Sequence, residues 1–322
     1  MAEKPRLLQI GTVTDRMAAR LAAGFSVLRL FDQPDRAAFL AAEGPGIAAV
    51  VTDGHWGVPP EVMEALPDLK VISSYGVGYD AIDAGAAAAR GILVAHTPDV
   101  LNDEVADTAI LLWLAVSRRL VAADRWVRSG DWEARGPFPL TRTVQGRTVG
   151  ILGMGRIGRT IAERAQAFGA RVIYHSRTPK DVPYCRVPDL ARMAAQVDVL
   201  ICITPGGAGT RHLVNAEVLD ALGPEGILIN VARGSVVDES ALVAALAAGR
   251  LGGAGLDVFE AEPKVPDALK AMENVVLLPH VGSATVETRT AMGDLVCDNL
   301  DRFLADGTVL TPVPECRHLL PP

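Results

Sequence analysis

Aromatic residues are scarce in this chain: Phe, Trp and Tyr make up only 5% of its 322 residues. A core with so few rings must be closed by aliphatic and small side chains, and Ala and Gly are indeed used heavily. Four cysteines (Cys185, Cys202, Cys297, Cys316) lie far apart without CxxC spacing. That excludes a disulfide framework and a zinc ribbon, and predicts reduced thiols in a cytoplasmic protein. No run approaches the roughly 20 apolar residues of a membrane span. Met1–Arg6 has no apolar signal core, so neither membrane nor export is expected. Basic charge is in deficit, with 31 Lys and Arg against 38 Asp and Glu and a net charge of −7. This argues against nucleic acid or an anionic membrane surface as partner. There is no internal repeat, and no constellation of residues spaced to ligate a metal.

What is present is an ordinary hydrophobic fraction, 49%, and length enough for two domains. In the first hundred residues, short apolar strands (Leu7–Ile10, Phe25–Arg29, Ile47–Val51, Lys70–Ser73, Ile92–Ala95) alternate with helical segments (Asp15–Ala23, Asp35–Ala42, Pro59–Leu66). That rhythm implies a parallel sheet covered on both faces. A long helix is expected from Asn102 to about Arg128, before Ser129-Gly130. Six further strands follow, at Thr148–Leu152, Arg171–Tyr174, Val199–Ile203, Gly226–Asn230, Ala254–Val258 and Val275–Leu277. The helix Val286–Leu304 has no strand partner in that set, and its return to the first domain would make that domain discontinuous. The fold class expected is α/β: two Rossmann-like, doubly wound parallel sheets with an interdomain active-site cleft. Residues 1–99 plus 286–322 form the substrate domain and 100–285 the cofactor domain.

The strand Val149–Leu152 runs into Gly153-Met154-Gly155-Arg156-Ile157-Gly158, where a helix should open. Such a turn presents backbone N–H groups and a positive helix end to a dinucleotide pyrophosphate. After the next strand, an acid would hold the ribose 2′-hydroxyl of NAD. Ser176, Arg177 and Thr178 stand there instead, a set suited to a 2′-phosphate and hence to NADP(H).

Three more blocks follow predicted strands: Asn230–Gly234, Asp257–Pro263 and Pro279–Ser283. Open α/β sheets bind ligands at that edge. Arg233 can orient the carboxylate and carbonyl of a 2-oxo acid in two-pronged fashion. His280 can protonate the carbonyl oxygen as hydride reaches the carbon. Glu262 beside it favours the protonated imidazole and fixes its tautomer.

Gly153–Gly158, Asn230–Gly234, Asp257–Pro263 and Pro279–Thr285 together resemble the D-isomer-specific 2-hydroxyacid dehydrogenase family over nearly the whole chain. Ser74–Asp80, Thr97–Thr108 and Tyr174–Arg177 resemble its NADPH-dependent glyoxylate/hydroxypyruvate reductase branch and the hydroxyphenylpyruvate reductase relatives. The resemblance implies that Arg233, Glu262 and His280 are the catalytic set, and that the backbone N–H groups of Val77 and Gly78 bind the substrate carboxylate. Glycines at 76 and 78 would let those amides turn inward. It further implies cofactor contacts at Thr108, Thr204, Pro205, Val231, Asp257 and Gly282. A homodimer joined through the arm carrying Trp126, Trp132 and Phe138 is implied as well.

The substrate expected is a small 2-oxo acid, glyoxylate or hydroxypyruvate, reduced to the (R)-2-hydroxy acid. An aromatic pyruvate and 2-ketogluconate stay open on the same mechanism, and a dinucleotide-sensing corepressor is a remote alternative. His55-Trp56 is a weaker candidate for lining the substrate site. No paired acid can be argued for His96, His175, His212 or His318.

Overall fold

Short runs rich in Leu, Ile and Val form the first sheet. The computed structural model describes residues 4–321. Residues 1–3 and 322, which belong to the stretch read for a signal core and to the ends of the expected first domain, lie outside the described residues. In chain order come β1 (Arg6–Gln9), α1 (Asp15–Gly24), β2 (Ser26–Arg29), α2 (Arg36–Glu43), β3 (Ile47–Asp53), α3 (Pro60–Glu64), β4 (Val71–Tyr75), α4 (Ala84–Ala89) and β5 (Leu93–Ala95). All five strands run parallel, in the order β2-β1-β3-β4-β5. A parallel sheet is covered on both faces, and Ile47, Ala49, Val50 and Val51 are accordingly without exposed surface. The helices open on side-chain caps. Thr14 accepts from the Met17 amide, Asp35 from Ala38 and Asp83 from Ala86, each contributing about 1 kcal/mol.

The second stretch begins with α5 (Asn102–Ser117), α6 (Leu120–Arg128) and α7 (Asp131–Arg135). The single helix expected over Asn102–Arg128 is therefore two helices. Arg119 adopts a left-handed conformation, φ +47, at the point where the chain leaves the core. α5 buries much of its surface, whereas α6 buries no residue. Then follow β6 (Thr148–Leu152), α8 (Arg156–Gln166), β7 (Arg171–His175), β8 (Cys185–Arg186), α9 (Leu190–Ala194), β9 (Val199–Cys202), α10 (Ala216–Leu222), β10 (Ile227–Asn230), α11 (Glu239–Ala247), β11 (Gly253–Leu256), α12 (Asp267–Ala271) and β12 (Val275–Leu277).

These make a seven-stranded parallel sheet, ordered β12-β11-β10-β9-β6-β7-β8. The expected six strands are exceeded by β8, a two-residue edge strand on β7 too short to leave a period in the sequence. The order reverses between β6 and β9, which marks a topological switch point. α8 lays Gly158, Ile161, Ala162 and Ala165 inward, the i, i+3, i+4, i+7 stripe of an amphipathic helix. Its Arg164 bonds Asp103 at 2.9 Å and Asp107 at 2.6 Å on α5.

The last helix, α13 (Val286–Asp306), covers the first sheet, where Ser73 Oγ donates to the Val296 carbonyl at 3.1 Å. Arg20 of α1 binds Asp298 and Asp301 of α13 at 2.8 and 2.6 Å. Two compact units result, Met1–Leu101 with Thr285–Pro322, and Asn102–Ala284.

Candidate functional site

Strand register brings the sequence blocks together within the second unit. Leu152 pairs with His175 and Cys202, Cys202 with Asn230, Asn230 with Leu256, and Leu256 with Leu277. The residues that follow these six therefore leave the sheet at one edge. The glycine loop, Ser176–Thr178, Thr204-Pro205, Val231–Gly234, Asp257–Glu262 and His280–Gly282 all sit there. A cavity of about 30 Å³ lined by Trp113, Asp198, Val199 and Ile227 lies where β9 and β10 begin, at the opposite edge. It has room for water only.

Each glycine of the loop has a separate reason. Gly153 has φ +109, and a Cβ there would come within 2.9 Å of the Ile203–Thr204 backbone. A Cβ on Gly158 would stand 2.1 Å from the Gly153 carbonyl oxygen, so this glycine lets α8 pack onto the strand end. Gly155 is different. It precedes α8 with no side-chain cap on the helix amides, and a Cβ would meet no protein atom within 4 Å. The space above it and the uncapped amides fit the pyrophosphate of a dinucleotide. Arg156 is exposed and Ile157 half-buried beside it.

At the end of β7, Ser176 Oγ donates to the Thr178 carbonyl at 2.6 Å. Arg186 of β8 holds the turn from beneath, bonding the Ser176 and Arg177 carbonyls at 3.0 and 2.9 Å. Sequence reasoning missed this residue, because its partners are backbone atoms and its strand is too short to detect. The Arg177 side chain is exposed and has no hydrogen bond or ion pair among the described residues.

Asn230, nearly fully buried, ties the next turn: its Nδ2 donates to the Arg233 carbonyl and its Oδ1 accepts from the Ala232 amide. Arg233 is half-buried, and its Nη1 donates to the Ala232 carbonyl at 2.8 Å. Gly234 presses on the following block, since a Cβ would lie 1.9 Å from the Phe259 carbonyl carbon. Glu262 is fixed at both oxygens: Oε1 accepts from the Phe259 amide at 2.9 Å, and Oε2 from His280 Nδ1 at 2.8 Å. A carboxylate only accepts, so Nδ1 carries the proton and Nε2 is the outward nitrogen.

His280 itself has φ +54, a conformation that His tolerates better than most residues. Asp257 supports it. Its backbone carbonyl accepts from the His280 amide, and its two carboxylate oxygens accept from the Val281 and Gly282 amides at 2.7 and 2.8 Å. Burial pushes the Asp257 carboxyl above the usual range, while the two amides and His280 pull it back. Thr108 of α5 donates to the Gly282 carbonyl at 3.3 Å. Thr204 is half-buried, Pro205 exposed and Val231 buried along the same edge. Among the described residues, no group of three or more His, Cys, Asp or Glu could hold a metal.

In the first unit, the loop after β4 leaves Val77 and Gly78 half-buried. Neither of their amides has a partner among the described residues. Two adjacent, unpaired, partly buried N–H groups suit an anion. Gly76 does not take the positive φ that an inward turn suggested, and a Cβ there would make ordinary contact at 3.5 Å. The His55 and Trp56 amides donate to Asp53 Oδ1, and the Trp56 ring lies 4.6 Å from that of Phe31. On the arm of the second unit, the Trp126 and Phe138 rings are 5.7 Å apart and Trp132 is 63% exposed.

Residues 110–282 match the model of the D-isomer specific 2-hydroxyacid dehydrogenase NAD binding domain. The chain is 49% identical over 290 residues to glyoxylate/hydroxypyruvate reductase A of Arabidopsis thaliana, covering 90% of this chain and 92% of the relative. Against hydroxyphenylpyruvate reductase of Plectranthus scutellarioides the identity and coverage are the same, 49%, 90% and 92%. Among solved structures, it resembles the NADPH-dependent glyoxylate/hydroxypyruvate reductase of Sinorhizobium meliloti in complex with NADP and malonate. There the TM-score is 0.92 and the identity 50%, over 98% of each chain. This chain therefore belongs to the D-isomer specific 2-hydroxyacid dehydrogenase family.

Proposed function

We propose that the chain reduces a small 2-oxo acid with NADPH, glyoxylate to the achiral 2-hydroxy acid or hydroxypyruvate to the (R)-2-hydroxy acid. The observation that carries this reading is the His280–Glu262 pair at 2.8 Å on the same sheet edge as the glycine loop. Residues 100–285 hold the dinucleotide, and 1–99 with 286–322 serve the substrate. Gly153, Gly155, Arg156, Ile157 and Gly158 receive the pyrophosphate. Ser176, Arg177 and Thr178 receive the 2′-phosphate, and Thr108, Thr204, Pro205, Val231, Asp257 and Gly282 line the rest.

NADPH held by these residues would supply the hydride that the carbonyl carbon accepts. Arg233 orients the carboxylate and carbonyl, and Val77 and Gly78 donate backbone N–H groups to the carboxylate. His280 Nε2 delivers the proton to the carbonyl oxygen, and Glu262 stabilises the imidazolium from which that proton leaves. The hydroxy acid then carries both new hydrogens.

A second reading, an aromatic pyruvate as substrate, is favoured by the likeness to hydroxyphenylpyruvate reductase; 2-ketogluconate belongs in the same test. The solved relative with malonate supports a small-molecule partner, and the net charge of −7 weighs against nucleic acid. A homodimer through the α6–α7 arm is supported by its exposed Leu120, Val121, Val127 and Trp132, a patch of the kind that marks interfaces. A cytoplasmic location is supported by four free thiols, three of them buried. Initial rates of NADPH and NADH oxidation with glyoxylate, hydroxypyruvate, hydroxyphenylpyruvate and 2-ketogluconate test the reading. Turnover with NADPH and a small 2-oxo acid is expected. Preference for NADH would overturn the role of Arg177, and turnover of the aromatic acid alone would favour the second reading.

A further inference from the structure

The two unpaired amides of the first unit face one way because of what holds their neighbouring carbonyls. The Gly76 carbonyl accepts from the Thr97 amide at 2.9 Å, and the Val77 carbonyl accepts from His96 Nδ1, also at 2.9 Å. In a trans peptide the N–H points opposite to the C=O of the same unit. The Val77 N–H therefore points away from Thr97, and the Gly78 N–H away from His96. In an extended strand successive carbonyls alternate in direction. Here two successive carbonyls are drawn to adjacent residues, so two successive N–H groups are left on the opposite side.

The imidazole doing this is itself held. Its ring meets Tyr79 edge-on, with centroids 5.4 Å apart at 84°, and Tyr79 Oη donates to Glu315 Oε2 at 3.1 Å. The His96 backbone is pinned by Thr311, which accepts its amide at 3.2 Å and donates Oγ1 to its carbonyl at 2.6 Å. A carbonyl only accepts, so Nδ1 bears hydrogen and acts as donor in either protonation state.

We propose that His96 is a positioning residue for substrate binding: its Nδ1–H sets the Val77–Gly78 peptide so that the two amides are presented to the substrate carboxylate. The inference rests on the reading that those amides bind that carboxylate. Without the His96 donor, the Val77–Gly78 peptide is free to turn its carbonyl toward solvent, and glycine at 78 offers little resistance.

The test uses the full chain with NADPH and glyoxylate, comparing His96→Leu, which has no donor, with His96→Asn, whose side-chain amide nitrogen can stand near the place of Nδ1. Loss of one positioning hydrogen bond should raise KM for glyoxylate about 3- to 10-fold, with KM for NADPH unchanged and kcat little altered. His96→Asn should recover most of the loss. Val and Gly labelled with ¹⁵N provide the second readout, using oxamate as an unreactive isostere of a 2-oxo acid. The Val77 and Gly78 amide resonances should shift with oxamate in the unmodified chain and respond much more weakly in His96→Leu. An equal rise of KM in both variants, or an unchanged KM with equal amide shifts, would overturn the role of His96 alone. Amides that ignore oxamate in the unmodified, active chain would overturn the carboxylate reading, and this inference with it.

Discussion

Replacing Glu262 with Gln isolates the role of the charge beside His280. Glu262 Oε1 is taken by the Phe259 amide, and Gln Oε1 can keep that bond, so the turn should survive. Oε2, 2.8 Å from His280 Nδ1, becomes an NH2 group that faces a donor. To avoid that clash the imidazole must move its proton to Nε2 or turn away, and in either case it becomes a poorer acid. The Glu262 side chain is 20% exposed and that of His280 44%, so the pair is partly screened. A charge-assisted hydrogen bond in such a place contributes about 1.5–3 kcal/mol. At about 1.4 kcal/mol per tenfold, kcat for 2-oxo acid reduction should fall roughly 10- to 150-fold, with KM for NADPH unchanged. The deciding comparison is a double-mutant cycle. If Glu262 acts through the imidazole, Glu262→Gln should cost little in a chain already carrying His280→Ala. An equal loss on both backgrounds, or a single variant within about twofold of the parent, would refute the pairing.

The glycine loop separates packing from binding. Gly155→Ala should keep the parent melting temperature but weaken NADPH binding, as seen by fluorescence titration. Gly158→Ala should destabilise by about 1–3 kcal/mol, because its Cβ would strike the Gly153 carbonyl. Arg177→Ala should raise KM for NADPH about tenfold or more, as expected for the loss of a charged contact, and leave KM for NADH nearly unchanged. A parallel loss with both cofactors would contradict the 2′-phosphate assignment. Cys185 is exposed while Cys202, Cys297 and Cys316 are buried, so a neutral-pH thiol assay on the native chain should count one fast-reacting thiol. Burial moves the Cys297 thiol from 9.0 to about 11 and Cys202 to about 12. The unfolded chain therefore loses these protons first, and the urea midpoint should fall as pH rises from 9 toward 11. A flat midpoint across that window would contradict the burial.

The parts of this protein legible in its sequence are those where local pattern and tertiary role coincide. Thr148–Leu152 and Val275–Leu277 are apolar runs between turns, and their limits in the structure are those expected. The edge carrying Arg233, Glu262 and His280 could be read because each lies in a block that opens at the end of such a strand. The break at Arg119 left no sign, since a left-handed residue there is neither glycine nor proline and the apolar pattern continues past it. β8 is too short for a period. Arg186 and His96 were invisible for another reason: both act on backbone carbonyls, and a carbonyl has no letter in the sequence. Asp257 was placed at the site, but its grip on the Val281 and Gly282 amides emerges only when the two strand ends lie side by side.

The role of His280 in 2-oxo acid reduction is tested most directly by the initial rate of NADPH oxidation with glyoxylate and with hydroxypyruvate, measured for the unmodified chain and for His280→Ala. Turnover of at least one of the two acids by the unmodified chain is expected, falling about 100-fold or more when the proton donor is removed. Tight NADPH binding without turnover of either acid, or full activity in His280→Ala, would contradict that role.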